Sequence, residues 1–188
     1  MSLEIIAGVD EVGRGPLAGP VVAAAVILTR PINGLGDSKT ISAKGRVELN
    51  EQIRRDTIWA LGAASVDEID RLNIRSATLL AMRRAISRLP QRPTLVLVDG
   101  NADPMCGLPT RCIVKGDRDV PAIGAASIIA KVCRDRLMVR LAARYPGFGW
   151  ERNAGYGTAE HRAAIAQQGP VPHHRRSFAP IKAMAANR

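Results

Sequence analysis

Three short apolar segments of strand-like composition each lead into acidic residues. The segments are residues 3–10, 94–98 and 111–114, and the acids are Asp10 with Glu11, Asp99 and Asp117. Continuous runs of Val, Ile and Leu are typical of strands that are covered on both faces of a sheet. Because ligands collect where the strands of such a sheet end, the four carboxylates are predicted to meet at one site.

Helical patterns alternate with these strand-like segments along the chain. Further strands are predicted at 20–28 and 57–66, and helices at 43–55, 74–89, from about 121 onward, and at 158–168. Residues 145–157 are glycine-rich and irregular, and a basic tail follows the last predicted helix. The alternation predicts an α/β protein with a mixed sheet and helices on both sides, and 188 residues suit a single domain.

The predicted convergence of acids has an electrostatic consequence. Two carboxylates about 4 Å apart repel each other by about 4 kcal/mol at an effective dielectric constant near 20. Such a cluster stays ionised only with a divalent cation, and oxygen ligands favour Mg²⁺ or Mn²⁺ over zinc. Asp10 and Glu11 are adjacent, so they share a site only if the strand breaks there, which the following Gly13-Arg14-Gly15 turn favours. Acids scattered over the surface are the alternative.

Charge points to the class of partner. Lys and Arg total 27 against 17 Asp and Glu, a net charge of +10, which favours nucleic acid as a partner. A basic protein with carboxylate-bound metal suggests phosphodiester chemistry by a two-metal route. The three cysteines have no CxxC spacing, and the sequence shows no export or membrane-spanning segment, so a cytoplasmic protein is expected.

The motifs resemble those of one family, bacterial ribonuclease HII, the type 2 ribonuclease H, over nearly the whole chain. The matching segments are 10–21 (DEVGRGPLAGPV), 37–39 with Ser42, 73–85, 98–101 (VDGN), 115–117 (KGD), 125–135, 155–161 and 174–178 (HRRSF). Thr40 departs from the family pattern, which often has a second lysine there. The full set in this order is the specific signal, since any one motif can arise by chance.

The resemblance implies a ribonuclease H-like fold, with a catalytic core over 1–144 and a C-terminal helical extension and basic tail over 145–188 forming one compact unit. It implies a metal-dependent endonuclease that hydrolyses RNA in RNA/DNA hybrids. It also implies cleavage on the 5′ side of single ribonucleotides embedded in duplex DNA, leaving 3′-hydroxyl and 5′-phosphate ends, as in ribonucleotide excision repair. A monomer is expected to suffice.

The resemblance also implies roles for individual residues. The metal-binding, catalytic acids are Asp10, Glu11, Asp99 and Asp117, with Mn²⁺ or Mg²⁺ as cofactor. The substrate-binding residues are Gly13, Arg14 and Gly15 through backbone contacts with the ribose 2′-hydroxyl, Tyr156 stacked on the deoxyribose after the ribonucleotide, and Lys39, Ser127 and Lys131 at phosphates. Packing or helix capping is the alternative for Tyr156, and solvated charge or capping for the last three.

Other readings of the chain remain open at this stage. A non-catalytic nucleic-acid binder accounts for the charge but leaves the acids without a purpose. A type 3 ribonuclease H carries an additional N-terminal substrate-binding domain, for which Asp10 comes too early. His161 is interpreted as structural, and His173 to Arg176 as a basic tail that packs or meets backbone phosphate.

Overall fold

A five-stranded mixed sheet forms the centre of the computed structural model, which describes residues 4–35 and 41–186. The strands are β1 Ile6–Val12, β2 Val21–Leu28, β3 Thr57–Ala64, β4 Leu95–Asp99 and β5 Thr110–Ile113. They lie in the order β3-β2-β1-β4-β5. β1 pairs antiparallel with β2, from Ala7 opposite Ile27 to Val12 opposite Val22, and parallel with β4. The first strand is therefore central to the sheet.

Helices cover both faces of this sheet. The helices in the described residues are α1 Ala43–Asp56, α2 Val66–Leu72, α3 Ile74–Ser87, α4 Gly116–Asp119, α5 Pro121–Arg144, α6 Trp150–Asn153, α7 Ala159–Gln168 and α8 Ala179–Ala186. Apolar residues of α3, including Met82 and Ile86, pack on one face, and those of α5, including Ile128 and Ile129, pack on the other. This double cover explains why seven of the eight residues of β2 are buried.

Glycine in two strands lets the covering helices approach the sheet closely. A Cβ atom on Gly8 of β1 would lie 2.2 Å from the carbonyl carbon of Ala122 in α5. A Cβ atom on Gly62 of β3 would lie 2.1 Å from the carbonyl oxygen of Ala81 in α3. Both distances are shorter than van der Waals contact, so a larger side chain would push the helix off the sheet.

The C-terminal segments form a third apolar cluster with the second half of α5. Phe148, Trp150 and Ile165 pack there with Met138 and with Leu17 from the loop between β1 and β2. An isolated bridge between Ala18 and His174 adds a backbone link between that loop and the tail. These C-terminal segments therefore contact the loop that follows the first strand.

The structure confirms the predicted α/β class, the mixed sheet and the helices at the C-terminal end. It corrects the predicted strand 57–66, since β3 ends at Ala64 and α2 begins at Val66. It also adds helix α8 within the segment interpreted as a basic tail. Among the described residues, no helix combines the length and apolar character needed to cross a membrane.

Candidate metal and nucleic-acid site

Four carboxylates converge where β1 passes the end of β4. The parallel pairing of these strands runs to Val9 opposite Val98, so Asp10 and Asp99 are the next residues of neighbouring strands. Asp117 lies in α4, just after β5, and its backbone N–H donates to Asp99 Oδ1 at 3.4 Å. All four, including Glu11, line one cavity of about 400 Å³. The predicted convergence of these side chains is therefore present in the structure.

The expected break in the strand at Asp10 and Glu11 is absent. β1 stays paired with β2 through Val12, so the two side chains lie on opposite faces, Asp10 toward α5 and Glu11 toward α3. They border the same cavity for another reason. β4 ends at Asp99 while β1 continues, and this leaves an open edge to which both faces of β1 contribute.

The described residues near this cluster do not offset the effect of burial on the pKa of Asp10 and Glu11. Asp10 is 6% exposed, and burial raises the pKa of its carboxyl well above the usual range, with the neighbouring Glu11 carboxylate raising it further. Burial also raises the pKa of Glu11, although Arg14, 3.3 Å away, opposes this shift. Hydrogen bonds from Ser127 and from the Glu11 N–H, the latter at 2.6 Å, favour the charged form of Asp10. Ionising the cluster therefore calls for a cation.

The donor set fits a divalent cation of the magnesium or manganese type. Four of the residues that line the cavity are carboxylates, and their mutual repulsion would be relieved by a bound dication. Within residues 4–35 and 41–186, no group of three or more His, Cys, Asp or Glu side chains already stands in metal-binding geometry. The site therefore fits a divalent cation on three grounds: its ligand atoms are oxygens, Asp10 is buried, and the negative charges of the acids repel each other.

The loop after β1 brings a glycine next to the predicted tyrosine. Gly13 has a φ of 95°, and a Cβ on it would lie 2.2 Å from Arg134 Nε, so glycine is required there. A Cβ on Gly15 would lie 3.5 Å from Tyr156 Cε1. Tyr156 is 46% exposed and borders the carboxylate cavity. The structure thus brings the loop, the ring and the acids together.

The three predicted phosphate contacts have different surroundings. Ser127 and Lys131 lie one turn apart on α5, and both line the cavity. Ser127 hydrogen-bonds Asp10, and Lys131 Nζ lies 2.8 Å from Asp135 Oδ1, with 29% of the lysine side chain exposed. Lys39 lies outside the described residues.

Several residues near the site were not singled out from the sequence. Arg46 of α1 lines the cavity and donates to the carbonyl oxygen of Ile41 at 2.5 Å. Arg75 and Thr78 of α3 form an adjoining cleft with Glu11. These residues lie on ordinary amphipathic helices, where nothing in the sequence separates them from solvated surface.

His161 is structural, in agreement with the interpretation from the sequence. Its Nδ1 lies 2.9 Å from the carbonyl oxygen of Tyr156, and its Nε2 accepts a hydrogen bond from Trp150 at 2.9 Å and lies 3.0 Å from His174 Nε2. All three partners of the ring are protein groups. The imidazole therefore supports the backbone of the Tyr156 turn.

Comparison with known proteins agrees with this geometry. A family model described as Ribonuclease HII matches residues 7–181. A ribonuclease HII of Methylibium petroleiphilum is 56% identical, over 99% of this chain and 96% of the relative. A ribonuclease HII of Maricaulis maris is 58% identical, over 97% of this chain and 85% of the relative.

Solved structures share the fold over most of the chain. Ribonuclease H2 from Pyrococcus horikoshii has a TM-score of 0.82 at 26% identity, covering 97% of both chains. Ribonuclease HII in the PCNA complex from Archaeoglobus fulgidus has a TM-score of 0.80 at 28% identity, covering 93% of this chain and 95% of its own. Bst-RNase HIII in complex with Mn²⁺ has the same fold, with a TM-score of 0.75 at 20% identity, covering 98% of this chain and 70% of its own.

Proposed function

The chain belongs to the ribonuclease HII family and is a ribonuclease H, and from this premise we propose that it cuts at ribonucleotides within DNA. Its substrates are the RNA strand of RNA/DNA hybrids and single ribonucleotides in duplex DNA. The cut falls on the 5′ side of the ribonucleotide and leaves 3′-hydroxyl and 5′-phosphate ends. The observation that carries this proposal is one cavity bordered by four carboxylates and Tyr156, with the Gly13–Gly15 loop beside the ring.

The four carboxylates bind the divalent cations, with different roles. Asp10, Glu11 and Asp99 form the constant part of the site, and Asp117 joins them mainly when substrate is bound. Bound as a pair, Mg²⁺ or Mn²⁺ would supply an activated water and stabilise the leaving 3′ oxygen. The burial of Asp10 beside Glu11 supports this assignment, because a cation removes the cost of ionising both.

The Gly13–Gly15 loop and the Tyr156 ring recognise the ribonucleotide. The exposed backbone of Arg14 and Gly15 offers N–H donors to the 2′-hydroxyl, the group that separates RNA from DNA. The exposed ring of Tyr156 stacks on the deoxyribose that follows, and reads the RNA–DNA junction. Lys131, Ser127 and Lys39 meet phosphates, and the net charge of +10 attracts the duplex. The enzyme acts as a cytoplasmic monomer in ribonucleotide excision repair.

The alternatives are less well supported. A non-catalytic binding protein does not fit a chain that belongs to a ribonuclease family. Among the solved structures compared, the ribonuclease HII and H2 chains are 26–28% identical to it, against 18–20% for the type 3 chains. We therefore retain junction-directed cleavage as the proposed activity.

The test uses an end-labelled DNA duplex that contains one ribonucleotide, incubated with Mg²⁺ or Mn²⁺, with the cut mapped to the nucleotide. We expect a single cut on the 5′ side of the ribonucleotide and none in the matching all-DNA duplex. Degradation of long hybrids with this duplex left intact would refute the junction-sensing roles of the loop and Tyr156 while leaving the hydrolytic chemistry in place.

A further inference from the structure

Two arginine side chains are completely buried near the Gly13–Gly15 loop. Arg134 and Arg175 are each 0% exposed, and neither forms an ion pair with any described residue. Burial lowers the pKa of Arg175 to about 9, and the neighbouring Arg134 charge adds to the shift, so the guanidinium stays cationic at neutral pH. Burying two like charges costs free energy of folding. The groups that the two guanidinium groups bind show which part of the structure they stabilise.

Arg175 binds backbone carbonyls at both ends of the loop between β1 and β2. Its Nη2 donates to the carbonyl oxygen of Gly13 at 2.5 Å, and its Nη1 donates to that of Arg14 at 2.8 Å. Its Nε and Nη2 donate to Gly19 at 3.0 and 2.8 Å, and its own N–H donates to Leu17 at 2.9 Å. One side chain thus fixes the loop along its length.

The geometry of the peptide bond decides where the amide groups of the loop point. In a planar trans peptide, the N–H points away from the C=O of the same unit. Since the carbonyls of Gly13 and Arg14 point toward Arg175, the N–H groups of Arg14 and Gly15 point to the opposite side. Both residues are exposed, and neither N–H has an acceptor among the described residues. Two successive donors are therefore offered to solvent beside Tyr156.

Arg134 completes the arrangement by linking the loop to the tyrosine turn. It donates to the carbonyl oxygens of Pro20 and Ala18, each at 3.0 Å, and to that of Ala154 at 2.8 Å. The N–H of Leu17 also donates to the carbonyl oxygen of Gly155 at 2.7 Å. Arg134 thus binds carbonyls of both the loop and the turn before Tyr156. These hydrogen bonds hold the Tyr156 turn in place relative to the loop.

We propose that Arg175 is a positioning residue for ribonucleotide recognition: by drawing the carbonyls of Gly13 and Arg14 inward, it holds the N–H groups of Arg14 and Gly15 outward as donors for the 2′-hydroxyl. The proposal rests on the function proposed above and adds the residue that orients its recognition loop. Only arginine suits the position, because its planar fork donates in several fixed directions at once, whereas the ammonium of lysine is a compact charge on a flexible stem.

The first experiment compares Arg175→Lys with the wild type in equilibrium binding, in EDTA so that no hydrolysis occurs. The probes are two fluorescent duplexes of one sequence, one with a single ribonucleotide and one entirely of DNA. We expect the preference for the ribonucleotide to fall about tenfold in Arg175→Lys, as for the loss of one or two hydrogen bonds, with the affinity for the DNA duplex unchanged. Arg176→Lys, at the neighbouring exposed position, should keep the wild-type preference.

A purely structural role for Arg175 would weaken binding of both duplexes by the same factor, and that result would overturn the proposal. A wild-type preference retained by folded Arg175→Lys would overturn it as well. A wild type that neither prefers the ribonucleotide duplex nor cuts it would instead remove the proposed function, so the two failures are distinguishable.

The second experiment needs no variant, and it decides the matter if Arg175→Lys does not fold. In ¹⁵N-labelled wild-type protein, we expect the amide resonances of Arg14 and Gly15 to shift on adding the ribonucleotide duplex and to stay nearer their free positions with the DNA duplex. Equal shifts with both duplexes, alongside ribonucleotide-directed cleavage, would show that these amides do not read the 2′-hydroxyl and would overturn the proposal.

Discussion

At the scale of single residues, Asp99 is a carboxylate that interacts with all three other acids of the cluster. It is the last residue of β4, its charge raises the pKa of both Asp10 and Glu11, and its Oδ1 accepts the Asp117 N–H. Removing this one charge therefore alters the environment of the other three acids. Its side chain is partly exposed, so substitution there need not disturb the core.

Asp99→Asn is expected to lower the cleavage rate at least about a thousandfold, since a lost cation contact withdraws several kcal/mol of transition-state stabilisation. Binding to the ribonucleotide duplex should be retained or strengthened, because one negative charge is removed from a cavity that meets phosphates. Single-turnover cleavage and fluorescence anisotropy measure the two quantities. Asp103→Asn, an exposed acid in the loop after β4, serves as the control. Turnover of Asp99→Asn near the wild-type rate would refute the metal assignment.

Tyr156→Ala is expected to reduce kcat/KM on the single-ribonucleotide duplex about five- to a hundredfold, the range for a lost ring-stacking contact. The backbone of the turn should persist, since the Tyr156 N–H donates to Asn153 and its carbonyl oxygen contacts His161. Affinity for a long RNA/DNA hybrid should change much less, and Tyr156→Phe should behave as wild type. If cutting and hybrid affinity fell together in Tyr156→Ala, the ring would have only a packing role.

The structure brings together the candidate residues that local sequence patterns indicate, and their roles stay predictions. Asp10, Glu11 and Asp99 follow apolar segments, and Tyr156 stands between two glycines, so each could be identified from its neighbours. Arg175 could not be identified in this way, because its partners are carbonyls 161 and 162 residues away. Any residue can present a carbonyl, so no side-chain pattern marks an arginine that binds several of them.

At the scale of secondary structure elements, the same distinction holds. The strands and the longer helices have clear apolar patterns and are predicted from the sequence, whereas α2 is not predicted and its first residue falls in the predicted strand 57–66. A local signal for α2 exists: Ser65 and Glu68 form a capping box, with the Ser65 hydroxyl accepting from Glu68 N–H and the Glu68 carboxylate accepting from Ser65 N–H. Helix α8 lies in a short alanine-rich segment, and its Ile181 is buried in a cluster that includes residues as distant as Leu17.

A buried aromatic network joins α6, α7 and the tail, and it makes stability depend on pH. His174 is 1% exposed, and its Nδ1 accepts the N–H of Val171 at 2.9 Å, a hydrogen bond that protonation of Nδ1 would remove. Burial lowers the pKa of His174 to about 4, and the neighbouring His161 contributes to the shift. The pKa of His174 in the folded state lies below its value near 6.5 in the unfolded chain. At pH values between these two, the unfolded chain therefore binds more protons than the folded protein.

The stabilisation from neutral His174 is therefore full above pH 6.5 and is lost as the pH falls toward 4. We expect the free energy of unfolding to drop by about 1–2 kcal/mol between pH 6.5 and 5 from this group. His174→Asn, which keeps an acceptor and does not titrate, should show a shallower decline over that interval. Urea unfolding at a series of pH values measures the difference, and identical slopes for the two proteins would rule out His174 as the source.

At the scale of the whole molecule, the three apolar clusters share elements, and this bears on the proposal that core and C-terminal extension are one unit. Helix α5 supplies Ile128 and Ile129 to the cluster on the sheet, and Met138 to the cluster of the C-terminal segments. Leu17 and Ala18, from the loop after β1, are buried in the latter. Elements with shared helices and interleaved segments are expected to unfold together.

The two tryptophans allow a direct test, since Trp59 lies in β3 and Trp150 in α6. In Trp59→Phe, fluorescence reports only on the C-terminal cluster, while far-ultraviolet circular dichroism reports on the whole chain. We expect the two urea transitions to coincide, because loss of the cluster would expose Met138 and Leu17 and destabilise the rest. A fluorescence midpoint at clearly lower urea would mean that residues 145–186 unfold as a separate unit.

The clamp that Arg175 forms on the Gly13–Gly15 loop also sets an order on biosynthesis. A ribosome produces the loop first and its guanidinium partner 161 residues after Arg14. Asp10, Glu11, Asp99 and Asp117 all emerge earlier, so a nascent chain carries the four acids before it carries the arginine that binds the carbonyls of Gly13 and Arg14. On the role proposed for Arg175, the loop is oriented only after residue 175 has been synthesised.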